Sequence, residues 1–145
     1  MNYMKKNKMN VSFCIWDFED ISPEQLTEII GLQPVKTYIK GQTKSTNPNF
    51  HGYLAKESGW IIDSGCSEDS SFEEHMNALC VILESKLEVL KSICQKYSCE
   101  IKCTPTVYSG TEESTPSIHL DQRYNNLVKE LNIEFDLDLY CYDGK

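Results

Sequence analysis

The stretch 133-IEFDLDLYCY-142 alternates without a break. Ile133, Phe135, Leu137, Leu139 and Cys141 fall on one side, and Glu134, Asp136, Asp138, Tyr140 and Tyr142 on the other. A period of two belongs to an extended strand, because successive side chains of a strand point to opposite faces. One set is apolar and the other acidic or phenolic, so this strand sits in a sheet with one dry face and one wet face. A parallel sheet covered on both faces reads instead as unbroken apolar runs. The pattern predicts a largely antiparallel sheet with helices packed on one side.

Working back from that strand, Asp121 opens a helix that buries Tyr124, Leu127, Val128 and Leu131, and Asn132 takes the left-handed position after it. Pro116–Leu120 reads as a short strand behind the polar loop 109–115. Cys99, Ile101, Cys103 and Val107 alternate with Glu100, Lys102, Thr104 and Thr106 as another half-buried strand. Before it, Phe72, Met76, Leu79, Leu83, Leu87, Leu90, Cys94 and Tyr97 recur at three- and four-residue steps, predicting one long helix from Phe72 to Tyr97 capped by Ser71.

Trp60–Ser64 is a short strand. The stretch Gly41–Ser58, rich in Gly, Asn, Ser, Thr and Lys, is the longest loop. Val35, Thr37 and Ile39 alternate with Lys36, Tyr38 and Lys40 as a strand. The sharpest local signal precedes it: Ser22 as cap, Pro23 at the first helical position, Gln25 completing a capping box and Gly31 as terminator predict a helix over Pro23–Ile30. Met9–Phe18, with Met9, Val11, Phe13 and Ile15 in phase, is the first strand. The predicted order is β-α-β-β-α-β-β-α-β, an α+β domain with a ferredoxin-like βαββαβ core and an added βαβ element. Residues 1–8 form a disordered basic arm and residues 9–145 a single domain.

Composition narrows the function classes. A chain of 145 residues with 40% hydrophobic and 25% charged residues is an ordinary single globular domain. It contains no apolar run near the roughly 18 residues of a membrane span and no secretory signal. The seven cysteines are odd in number in a chain long enough to fold without staples, which predicts free thiols in a reducing cytoplasm. A net charge of −8, with Arg123 the single arginine among 14 basic residues, argues against nucleic acid and for a basic partner protein, if the partner is a macromolecule.

The capped helix running into TEIIGLQPVKTYIKG, the Gly59-Trp60 pair after a loop, the long central helix and the terminal LNIEFDLDLY resemble the domain of unknown function 4279 family. The matching positions are Gly31, Pro34, Lys40, Gly41, Trp60, Asp136, Asp138 and Tyr140. The resemblance implies a small bacterial cytosolic protein with no assigned reaction. Small acidic families of this character include suspected immunity proteins of toxin systems.

No complete catalytic, cofactor or metal motif is present. Cys99 and Cys103 share a strand face but stand about 13 Å apart along it, too far for one zinc ion with bonds near 2.3 Å. Cys66 lies among Asp63, Glu68 and Asp69, which oppose a thiolate. His51, His75 and His119 are the available bases, and none sits in a nucleophile context. The acidic strand face is the leading candidate: Glu134, Asp136, Asp138, Tyr140 and Tyr142 suit a basic protein partner, as in an immunity-type inhibitor, against the plain alternative of a solvated face that resists edge-to-edge aggregation. A second reading is a small-ligand sensor or enzyme between the 41–58 loop and the sheet, using Lys40, His51 and Trp60. A third is a homo-oligomeric structural module joined along the wet face. The expectation is a non-enzymatic binding protein without cofactor or metal.

Overall fold

The computed structural model describes residues 5–43 and 53–144. The first four residues of the predicted basic arm, and His51 with the middle of the predicted long loop, lie outside the described residues. In chain order the elements are β1 (Lys8–Trp16), α1 (Pro23–Ile30), β2 (Lys36–Tyr38), β3 (Gly59–Asp63), α2 (Phe72–Glu84), α3 (Leu87–Lys96), β4 (Ser98–Ser109), α4 (Gln122–Leu131), β5 (Glu134–Leu137) and β6 (Tyr140–Asp143). The domain is α+β with a mixed six-stranded sheet ordered β2-β3-β1-β4-β5, and β6 also lies beside β4.

Strands β2-β3-β1-β4 are antiparallel at every pairing, the arrangement of a βαββαβ unit in which β3 lies between β1 and β2. Beyond it, with no strand at 116–120 to open the expected added βαβ element, β4 itself serves as its first strand with α4 and β5, and β5 and β6 both run parallel to β4. The sheet is therefore less purely antiparallel than its alternation predicts. Alternation reports how many faces are dry, and a parallel strand beside a one-sided sheet satisfies it equally well.

Local chemistry accounts for the helices. Ser22 accepts from the Gln25 N–H at 3.1 Å while the Gln25 side chain accepts from the Ser22 N–H at 2.8 Å, closing the capping box. Gly31 ends α1 at φ 78°, a backbone conformation that costs glycine nothing. Asp121 caps α4 by accepting from the Tyr124 N–H, and Asn132 follows at φ 54°.

Three elements differ from the sequence reading. The long helix is two, broken at Ser85–Lys86, where the Ser85 hydroxyl donates back to the Ile82 carbonyl at 2.6 Å and Lys86 leaves helical geometry at φ −124°. The buried positions Leu83 and Leu90 stay seven residues apart, so the apolar period runs through the kink unchanged. Residues 116–120 form no strand. They cross as an extended strap whose Ile118 packs on the core.

The last strand is split at Asp138–Leu139. The Asp138 N–H donates to the Cys103 carbonyl, so the odd-numbered residues of β4 turn their backbone groups towards β5 and β6. Pro105, next in that set, has no N–H to donate, and the ladder lapses beside it before resuming in the same register at Thr106–Tyr140.

One apolar core lies on the helix side. Phe13, Ile15, Trp60 and Ile101 are each 0% exposed and meet Leu26, Leu79, Leu83 and Leu90 of the helices. At roughly 1.5–3 kcal/mol for each large apolar side chain taken out of water, this layer is the main source of stability. Arg123 clamps α4 to the end of α2 through a two-pronged ion pair with Glu84 at 2.8 and 2.9 Å. The helices all serve this one core, and among the described residues no second layer covers the other face of the sheet.

Candidate functional site

Register places the residues of the uncovered face in rows. Tyr38, Gly59 and Trp16 stand side by side; then Ile61, Cys14, Glu100 and Glu134; then Asp63, Ser12, Lys102 and Asp136; and at the far end Thr106 with Tyr140 and Tyr108 with Tyr142. The five residues of the acidic strand thus share one face. Leu137 and Leu139 lie on the opposite side yet are exposed, because α4 covers only the first part of that strand.

Each end of the face carries aromatic rings. At one end the Trp16 ring lies across Gly59, where a Cβ would come within 2.5 Å of it, and stacks on Tyr38 at 6.3 Å between centroids and 10° between planes. Its indole N–H donates to Glu100 at 2.9 Å. At the other end Tyr142 leans on Tyr108 at 5.9 Å, and Tyr140 and Tyr142 remain about half exposed. Tyrosine and tryptophan with one wet edge are the residues that interfaces concentrate.

The centre is charged. Lys102 binds Asp138 at 3.2 Å. Burial pulls against its charge, but Asp138, with Glu100 and Asp136 nearby, holds its ammonium above the ordinary lysine range. Asp138 is thereby partly neutralised within the chain, whereas exposed Glu134 and half-buried Asp136 have no hydrogen bond or ion pair among the described residues. The sequence reading missed Trp16, Tyr38, Glu100, Lys102 and Tyr108 as members of this surface. Their alternation signals their phase, but only strand pairing makes them neighbours of the acidic strand.

Of the residues of the second reading, Lys40 and Trp60 do not share a surface. Lys40 forms an exposed ion pair with Glu19 at 2.8 Å, and its N–H donates to the Ser58 hydroxyl. Trp60 is 0% exposed on the helix side, with its indole N–H on the Thr27 hydroxyl at 3.0 Å, so it offers no surface to a ligand. His51 lies outside the described residues.

Five of the seven thiols are buried, while Cys66 is half-buried and Cys141 exposed. Burial pushes the Cys14 thiol up to about 12 and the Cys103 thiol to about 11, and its contact with Cys94 together with burial raises Cys99. These groups stay protonated at neutral pH and are poor nucleophiles. All seven cysteines are free, and no group of three or more His, Cys, Asp or Glu among the described residues is placed to hold a metal ion. Among the described residues, no helix is long and apolar enough to cross a membrane.

The nearest thing to a nucleophile and base is Ser64 with His75, whose Nδ1 lies 2.5 Å from the hydroxyl. Both are buried, His75 being 1% exposed. Ser64 also accepts from the Cys66 N–H, and His75 Nε2 has no partner among the described residues. Desolvation lowers the His75 pKa, so the pair is a buried, neutral polar tie between the end of β3 and α2.

Comparison with curated proteins and with solved structures gives no match. Comparison with protein families gives one: the sequence profile of the family described as Domain of unknown function (DUF4279) matches residues 7–142, nearly the whole chain. The acidic strand, the aromatic stack and the core beneath them all fall within that span, and the chain belongs to the DUF4279 family.

Proposed function

We propose that this chain is a non-enzymatic binding protein that receives a basic protein partner on the uncovered face of its sheet. The observation that carries the reading is that face itself. It joins exposed Tyr140 and Tyr142, the Trp16–Tyr38 stack and the carboxylates Glu134 and Asp136, with no second layer over them among the described residues. Aromatic anchors flanking unneutralised carboxylates suit a partner with lysine or arginine at its centre and an apolar rim, with charge speeding the encounter and the rings supplying the contact area. An immunity-type inhibitor of a basic toxin is the form of this function that the acidity favours. Pairing of two copies through the same face would bring net acid against net acid, which counts against the homo-oligomeric module.

The test is affinity capture from the native host at low and high salt. The wild type is compared with Glu134→Lys/Asp136→Lys and with Tyr140→Ala/Tyr142→Ala. A basic protein retained at low salt, released at high salt and lost from both variants is the expected result. Equal retention by the charge-reversed variant, or recovery of no basic protein with wild type, refutes the proposal. Light scattering on the same preparations separates the homo-oligomer.

A further inference from the structure

We propose that the cleft between α2, α4 and the 113–119 segment is a binding site for an alkylammonium group, a primary amine carried on an apolar stem. The cleft holds about 460 Å³ and lies among the N-terminal end of β1, the first two turns of α2 and the start of α4. It is independent of the uncovered sheet face. Its apolar lining is formed by Met9, Phe72, Met76, Cys80 and Tyr124, none more than 6% exposed. Such a lining suits a methylene stem.

Around that lining stand Glu68, Asp69, Glu73, Glu113 and Asp121. The cleft also contains Lys8, already engaged with Glu68 at 3.7 Å, and His119. Within the cleft five carboxylates face one lysine, a formal surplus of four negative charges when His119 is counted as uncharged, while Lys5 and Lys6 line the adjoining hollow with Asp69, Glu112 and Glu113. Asp121 is occupied in capping α4. The carboxylates of Asp69, Glu73 and Glu113 have no hydrogen-bond or ion-pair partner among the described residues.

Tyr124 supplies the independent sign of a ligand. The residue is only 5% exposed, its ring meets Phe135 edge-on at 5.6 Å, and its N–H is bonded to Asp121. Its hydroxyl has no hydrogen-bond partner among the described residues and is not fully buried, so in a residue that lines the cleft it keeps an accessible oxygen free to bond a ligand. Burial, with the neighbouring Cys80, pushes its pKa up to about 12, so the hydroxyl keeps its proton and presents a neutral oxygen that accepts from an ammonium N–H.

Other ligand classes fit less well. An anion would be drawn by the N-terminal end of α2, but that end carries only about half a positive charge and is already met by Ser71, Glu73 and Glu74. The surplus of carboxylates outweighs it. A bare metal ion needs several converging ligands, and no such group occurs among the described residues.

The proposal is tested on the full chain by calorimetry and amide NMR with n-butylamine, using 1-butanol and butyrate as neutral and anionic counterparts. Saturable binding of n-butylamine alone is expected, with shifts confined to residues 7–9, 68–80 and 113–124. Tyr124→Phe, which keeps the ring, should weaken it about tenfold or more, the worth of one hydrogen bond to a charged group. Glu73→Gln with Glu113→Gln, both at exposed positions, should weaken it similarly, while Glu28→Gln, exposed on α1 and outside the cleft, leaves it unchanged. Comparing 1,4-diaminobutane with N-acetyl-lysine methylamide assigns the amine to a free metabolite or to a lysine side chain, and preference for either supports the site. Absence of saturable binding at amine concentrations on the order of 10 mM, an equal response to 1-butanol, or wild-type affinity in both sets of variants overturns it.

Discussion

Replacing Gly59 by alanine tests how the aromatic end of the uncovered face is held. The added Cβ would stand 2.5 Å from Trp16 Cζ3, 2.8 Å from Cε3 and 3.1 Å from Tyr38 Cδ2, so the tryptophan ring has to lift off the strand. Lifting it breaks the 2.9 Å hydrogen bond to Glu100 and separates the stack with Tyr38. Because Trp16 and Glu100 are only partly buried, the lower ends of the ordinary ranges apply. These are about 1–1.5 kcal/mol for the bond to a carboxylate and about 0.5–1 kcal/mol for the ring pair. With some steric strain added, Gly59→Ala should cost about 1.5–3 kcal/mol, or roughly 5–10 °C in melting temperature at this chain length.

The decisive measurement is a double-mutant cycle by urea denaturation. In a Trp16→Ala background the 2.5 and 2.8 Å contacts are gone and only the milder one with Tyr38 remains. The Gly59→Ala penalty should vanish or reverse by about 0.5 kcal/mol, since alanine loses less backbone freedom than glycine. If the penalty is the same in both backgrounds, the ring is not held over Gly59 and the reasoning fails.

Two further outcomes follow from the charged and buried groups. Desolvation lowers the His75 pKa in the fold, with Asp63 and Glu74 opposing it, so the unfolded chain binds the proton more readily than the folded one. The stabilisation is therefore complete above about pH 6.5 and is lost as pH falls from there towards the folded value; His75→Gln should flatten that part of the stability profile measured by denaturation. Lys102→Met should leave Asp138 without its counter-ion among Glu100 and Asp136, but the pair is more than one-third exposed. Screening holds the loss to about 0.5–1 kcal/mol, and repeating the denaturation in 1 M salt should shrink it further.

What lies within a few residues along the chain was legible in the sequence. The capping box at Ser22 and Gln25 and the left-handed Gly31 determine α1 by local hydrogen bonding, and the two-residue period of Ile133–Tyr142 determines which side chains share a face. The acidic strand face was found this way, because phase is a property of one strand. The helix break at Ser85–Lys86 was not legible, since buried Leu83 and Leu90 keep their seven-residue step across it. Nor was the lapse at Asp138–Leu139, whose cause is Pro105 on another strand.

Tertiary structure alone decided which residues became neighbours. It set Trp16 on Gly59 beside Tyr38, placed Lys102 against Asp138, and closed Tyr124, Met76 and Glu113 around one cleft. Burial and charge at a point in space sum over elements far apart in the chain, so no single segment carries that information.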